Sequence, residues 1–138
     1  MKTAGIFLTT EELRPKRATA GSAGYDFVSP DDVVIGVGQT VKFKTGVRVQ
    51  MAEGYVLNLY IRSSLGLKHG LSLPNSVAVI DSDYGDEIIA AIKNDSQEVY
   101  HLKKGERYMQ GIFTKYYVTE DDEPVSIERN GGVGSTGK

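Results

Sequence analysis

Glycine sets the grain of this chain. Sixteen of its 138 residues are Gly, and those at 36, 38, 46 and 54 part segments that are short and rich in β-branched or alternating side chains. Glycine weakens helix interiors and serves turns, so this spacing argues against long helices. Residues 6–8, 33–35, 41–45, 47–51, 55–61, 77–80, 87–93, 99–102, 108–117 and 124–127 read as strands. Roughly eight to eleven short strands at close, even spacing predict an all-β sandwich, jelly roll or barrel. There is no internal repeat, and helical periodicity is confined to about one turn.

A chain of this length predicts one domain with a real core. Lys and Arg number 16 against 18 Asp and Glu, so no sequence-wide field draws it to nucleic acid or an anionic membrane. Cysteine is absent, which excludes disulfides and thiolate metal sites and fits a reducing compartment. No apolar run approaches a membrane span, and the first residues lack a signal-peptide core. The expectation is a cytoplasmic protein with no nucleic-acid or membrane partner.

The most informative stretch is Leu73-Pro74-Asn75-Ser76-Val77-Ala78-Val79-Ile80-Asp81-Ser82-Asp83-Tyr84. An Asn opens it, a strand follows, and two carboxylates and a phenol close it. If the strand persists, Asp81 and Asp83 share one face and Ser82 and Tyr84 the other. Such a segment is either a strand running into an acidic turn or the floor of a polar pocket with a carboxylate beside water. The residues alone leave both readings open.

Elsewhere, Arg62-Ser63-Ser64-Leu65 predicts a helical turn capped by Ser, whose free N–H groups and neighbouring Arg suit an anion. An ordinary capped surface turn explains it equally. Arg14-Pro15-Lys16-Arg17 reads as an exposed connection. His69 and His101, the only histidines, have no metal-ligand spacing. The acidic run 120–123 reads as a solvated loop. Residues 132–138 spell G-x-x-x-x-G-K, but a P-loop needs a strand before it and a Ser or Thr and a helix after the Lys, so the match is expected to be a decoy. Its N–H groups and hydroxyls, with Arg129, could still wrap phosphate oxygens; a plain disordered terminus is the other reading.

Five segments, taken together, resemble the motifs of the trimeric deoxyuridine triphosphatases (dUTPases). They are Ala23-Gly24-Tyr25-Asp26-Phe27, Arg62-Ser63-Ser64-Leu65, Asn75 through Asp81-Ser82-Asp83-Tyr84, Gly105-Glu106-Arg107-Tyr108-Met109-Gln110, and Gly131-Gly132-Val133-Gly134-Ser135-Thr136-Gly137. They occur in order across nearly the whole chain. The resemblance implies an all-β jelly roll (a β-clip or distorted barrel) over residues 1–127. It also implies a homotrimer in which a glycine-rich arm, residues 128–138, closes a site formed mainly by neighbouring subunits. The implied reaction is hydrolysis of dUTP to dUMP and pyrophosphate with Mg²⁺.

By the same resemblance, Asp81 is similar to the carboxylate that orients and deprotonates the attacking water. Asn75 resembles the residue that bonds the uracil edge, and Val79 and Ile80 supply backbone contacts to base and sugar. Tyr84 resembles the ring under the deoxyribose, where exclusion of a 2′-OH discriminates nucleotides. Arg62, Ser63, Ser64 and Gln110 are placed on the phosphates, with Arg129, Gly134, Ser135 and Thr136 from the arm. Asp26 is placed near the metal, through water. The chain departs from the pattern in having Val133 where an aromatic is usual, a shorter interval from Arg129 to that position, and Gly85-Asp86 in reversed order. Two alternatives stand beside this one: a dCTP deaminase relative using Glu87, and a nucleotide-dependent regulatory protein acting through a protein partner.

Overall fold

A computed structural model describes residues 3–123 and residue 129. The strand expected over 124–127, Val133, and the arm residues Gly134, Ser135 and Thr136 lie outside the described residues. Chain order runs β1 (Gly5–Leu8), β2 (Lys16–Arg17), β3 (Tyr25–Val28), β4 (Val33–Ile35), β5 (Thr40–Lys44), β6 (Arg48–Met51) and β7 (Tyr55–Ile61). It continues through α1 (Ser63–His69), β8 (Leu71–Ser72), β9 (Ala78–Ile80), β10 (Ile89–Asn94), β11 (Tyr100–Leu102) and β12 (Arg107–Lys115). The all-β expectation holds. No helix among the described residues is long and apolar enough to cross a membrane.

The largest sheet has the order β2-β3-β12-β7-β9, beside a three-stranded sheet β5-β10-β8 and the pairs β1-β6 and β11-β4. Alternation decides which face each strand buries. On β7, Leu57 and Leu59 are fully buried while Asn58 and Tyr60 are only partly covered. Phe7 of β1 meets the rings of Tyr25, Phe27 and Phe113 at 5.5, 6.0 and 5.6 Å, which fastens the small β1-β6 pair to the large sheet. Phe43 of β5 stacks against Tyr108 of β12 at 5.2 Å, fastening the three-stranded sheet to the same layer. Facing sheets joined by interdigitating aromatics make the jelly-roll core.

Three local expectations differ. Pro15 is buried and the next two residues form β2, paired with β3 through Lys16–Asp26 and Arg17–Tyr25; the segment is the sheet's edge, where a proline without a donor is tolerated. The helical turn at 63 extends through seven residues, and Arg62 occupies its N-cap with no side-chain cap bond. The strand over Val79 and Ile80 stops at Ile80, because the chain turns there, with the Tyr84 N–H donating to Asp81 O at 3.1 Å.

Candidate active site

The acidic turn is held from several sides. Tyr84 is 8 % exposed and its hydroxyl donates to Glu87 O at 2.9 Å. Burial, and then the nearby Asp86 carboxylate, raise its pKa, so it stays a neutral phenol. Arg48 donates to Gly85 O at 3.0 Å. The next residues return to the β5–β6 turn, where Ile88 N donates to Val47 O at 2.9 Å and Thr45 Oγ1 to Ile88 O at 2.7 Å. With its frame tied down, the turn presents Asp81 and Asp83 outward, both exposed. The expected shared orientation of the two carboxylates therefore arises from a turn rather than from strand alternation.

Arg129 lies across that pair. Its NH2 donates to Asp81 Oδ2 at 2.5 Å and its Nε to Asp83 Oδ1 at 2.9 Å, with Cζ 5.8 Å from the Tyr84 ring centre. The hydrogen bond to Asp83 is the first cause of an upward shift in the guanidinium's pKa, with Asp81 contributing too. A cleft of about 970 Å³ opens here, lined by Asp81, Asp83 and Arg129 with Asn58, Val79 and Tyr116. Asn58 and Tyr116 carried no sequence signal, since neither stands in a recognisable motif. Asn75 is exposed on the turn that precedes β9, next to Ser76, whose φ of 63° is left-handed. A non-glycine residue held there is a strained position of the kind that gathers at functional loops.

A second cleft, of about 380 Å³, gathers Arg62, Ser63, Ser64, Gln110 and Asp26 with Gly24 and Arg107. Arg62 is anchored by its own N–H, which donates to Tyr108 O at 3.0 Å. Gln110 is opposite Asp26 on one side and Tyr60 on the other. A bulge between Arg107 and Met109 resets the alternation of β12, so Tyr108 and Met109 are both buried and Gln110 emerges beside Asp26. Bulges re-aim side chains in this way next to active sites. Arg107 NH1 stands 3.6 Å from the Asp26 carboxylate, a partner the sequence reading did not assign. Among the described residues no group of three His, Cys, Asp or Glu could hold a metal; Asp26 is a single carboxylate in a cleft of phosphate-binding residue types.

The two clefts share no lining residue. Gln110 is opposite Tyr60, while β9 meets β7 at Leu57 with Ile80, which puts Asp81 level with Val56. Strand spacing and rise then separate Gln110 from Asp81 by about 10 Å across the sheet and about 13 Å along it. One chain thus holds two separate clefts, one over the central strand β12 and one past the end of the edge strand β9. Glu87, the residue a deaminase relative would need, accepts the Gly46 N–H at 2.7 Å and is committed to the β5–β6 turn.

A family model described as dUTPase matches residues 11–137. The deoxyuridine 5'-triphosphate nucleotidohydrolase of Lactococcus lactis is 41 % identical over 130 residues, covering 89 % of this chain and 87 % of that protein. The one from Nautilia profundicola is 37 % identical and 95 % of each chain is covered. Among solved structures, the dUTPase from Streptococcus mutans superposes with a TM-score of 0.76 at 38 % identity, over 86 % of this chain and 99 % of that one. A Staphylococcus bacteriophage 80alpha dUTPase mutant shares the fold, with a TM-score of 0.78 at 24 % identity, over 92 % of this chain and 99 % of that one. With nearly its whole length matched and its fold shared, the chain belongs to the dUTPase family and is a hydrolase of dUTP.

Proposed function

We propose that dUTP is hydrolysed at a site completed between neighbouring chains of a homotrimer. One chain brings Asp81, Asn75, Val79, Ile80 and Tyr84 to the nucleoside, and its neighbour brings Arg62, Ser63, Ser64, Gln110 and Asp26 to the phosphates. The separation of the two clefts within one chain, about 10 Å across the sheet and about 13 Å along it, is the observation that supports this reading. The arm, residues 128–138, adds Arg129, Gly134, Ser135 and Thr136 to the phosphates.

Asp81 accepts a proton from water, and the water oxygen bonds to the α-phosphorus. The bond from that phosphorus to the α–β bridging oxygen breaks, and pyrophosphate leaves with the electron pair. Asp81 works chiefly by position, holding the nucleophile in line. Tyr84, neutral and packed, offers a flat face that leaves no room for a ribose hydroxyl. Arg62, Ser63, Ser64 and Gln110 orient the phosphates and meet the charge that develops on the leaving group. Mg²⁺ suits this arrangement when carried by the triphosphate, with Asp26 reaching it through water; it would supply charge neutralisation at the phosphates.

Pyrophosphate release from dUTP, dCTP, dTTP and UTP, with and without Mg²⁺, tests the reading. dUTP alone should turn over rapidly, and only with the metal. Asp81→Asn should keep the fold and bind nucleotide while losing nearly all turnover. Wild-type rates in that variant would falsify the assignment, and ammonia release from dCTP would favour the deaminase alternative instead.

A further inference from the structure

Lys16, on the edge strand β2, has no place in the reaction just described, yet it stands in line with residues that do. β2 pairs with β3 through Lys16 and Asp26, and β3 with β12 through Asp26 and Gln110. Residues directly opposite each other on neighbouring strands project from the same face of a sheet. Lys16, Asp26 and Gln110 therefore form one row, with neighbours about 5 Å apart. We infer that Lys16 is a further phosphate-binding residue, which lengthens the second cleft to the edge of the sheet and seats the distal phosphates that leave as pyrophosphate. The inference rests on the proposed placing of phosphates at Arg62, Ser63, Ser64 and Gln110.

Two further observations support it. A groove of about 270 Å³ holding Lys16 adjoins the second cleft, and the two share Ala18, Asp26 and Arg107. The hollow thus runs on from Gln110 past Asp26 to Lys16. Its wall is tied by Arg17, whose NH1 donates to Ala20 O at 2.7 Å and to Ser22 O at 3.1 Å. The second observation is charge. Four cationic side chains line the groove against two carboxylates, on a chain whose net charge is −2. Arg14 is taken up by Glu11 at 2.7 Å and Phe7 O at 2.8 Å, and Arg107 stands 3.6 Å from Asp26. Lys16 is exposed and makes no ion pair among the described residues.

Asp26 sits in the middle of the row and by itself repels an anion. Arg107 offsets it from one side, and Lys16 stands opposite it on the next strand. A phosphate chain running outward from Gln110 thus meets a cation beyond the carboxylate. A compact ammonium on a flexible stem attracts phosphate as a point charge without fixing its orientation, which suits a group that must let pyrophosphate go. dUMP has no distal phosphates and gains nothing from Lys16, so the residue favours triphosphate over monophosphate.

Calorimetric binding of inorganic pyrophosphate and of dUMP, with Mg²⁺, and steady-state hydrolysis of dUTP test this on the full chain and on Lys16→Gln, Lys16→Glu and Lys16→Arg. By the strength of exposed ion pairs, Lys16→Gln should weaken pyrophosphate binding and raise KM for dUTP about two- to fivefold. Lys16→Glu should do more, and Lys16→Arg should stay near wild type. Added salt should narrow the gap between wild type and Lys16→Gln, since exposed charges are screened. Lys16→Gln should leave dUMP affinity and melting temperature unchanged. A lysine that only keeps sheet edges from pairing would leave pyrophosphate affinity alone; that result, or an equal loss for dUMP, overturns the inference. So does a wild-type chain that binds no pyrophosphate. A wild-type chain that binds pyrophosphate but does not hydrolyse dUTP would sink the proposed reaction, while the pyrophosphate comparison still decides Lys16.

Discussion

A Cβ placed on Gly24 would sit 2.2 Å from Gln110 Oε1 and 3.2 Å from Gln110 Cβ. Gly24 does not have a positive φ, so glycine is required here by crowding and not by backbone conformation. Gly24→Ala should leave the sheet intact and drive the Gln110 side chain out of the second cleft. The expected outcome is a KM for dUTP raised severalfold with an unfolding free energy within about 1 kcal/mol of wild type. Paired kinetic and urea titrations check it.

Asn94 is fully buried on β10 and works as a three-way joint. Its Nδ2 donates to Ile35 O at 2.9 Å and Glu98 O at 2.7 Å, while its Oδ1 accepts from Ser96 N at 2.9 Å. Asn94→Ala leaves buried backbone groups without partners. A cost of about 3 kcal/mol is expected, read as a lower denaturation midpoint at unchanged m-value.

Tyr108 presents the reverse case. Its hydroxyl is buried without a hydrogen-bond partner among the described residues, and burial drives its pKa far up. Burial, with the hydrogen bond to Glu106 second, pushes Tyr100 up to about 12. Both folded-state values exceed the unfolded one, so the native state keeps protons that the unfolded chain gives up. Stability is then level below about pH 10 and declines as pH rises toward 12. Tyr108→Phe should stabilise the chain by about 1 kcal/mol at neutral pH and make the alkaline decline shallower, measured by denaturation at several pH values.

Because Asp26 is a single carboxylate and no group of three His, Cys, Asp or Glu among the described residues could hold a metal, Mg²⁺ should serve the reaction and not the fold. Chelation with EDTA is expected to abolish dUTP turnover while leaving the melting temperature unchanged. A substantial fall in melting temperature would point to a structural metal instead.

Much of the architecture was legible because glycine and β-branched residues mark strand ends locally. β4 and β7 carry the boundaries their residues suggest. The two-residue strands β2 and β8 were not legible, since two positions hold no period. Nor was β3, whose Tyr25-Asp26-Phe27 reads as a polar motif until β12 pairs with it. The bulge that aims Gln110 depends on register with a strand far away in sequence, and no local pattern encodes it. At the site, the family resemblance picked out Asp81, Tyr84, Arg62 and Gln110, but the sequence could not show where each falls on the surface of one chain. The partnership of Arg129 with Asp83 joins residues 46 apart, and charge alone did not single out that pair.

In the proposed homotrimer, the placement of Asp81 and Gln110 in separate clefts of one chain has a genetic corollary. A ring of three that draws the base from one member and the phosphate grip from the next tolerates damage unevenly. Subunits defective at Asp81 and subunits defective at Gln110, each inert alone, would regain one working junction in every mixed ring. Two dead alleles would complement each other, and the restored rate would count the junctions at which an intact edge meets an intact edge.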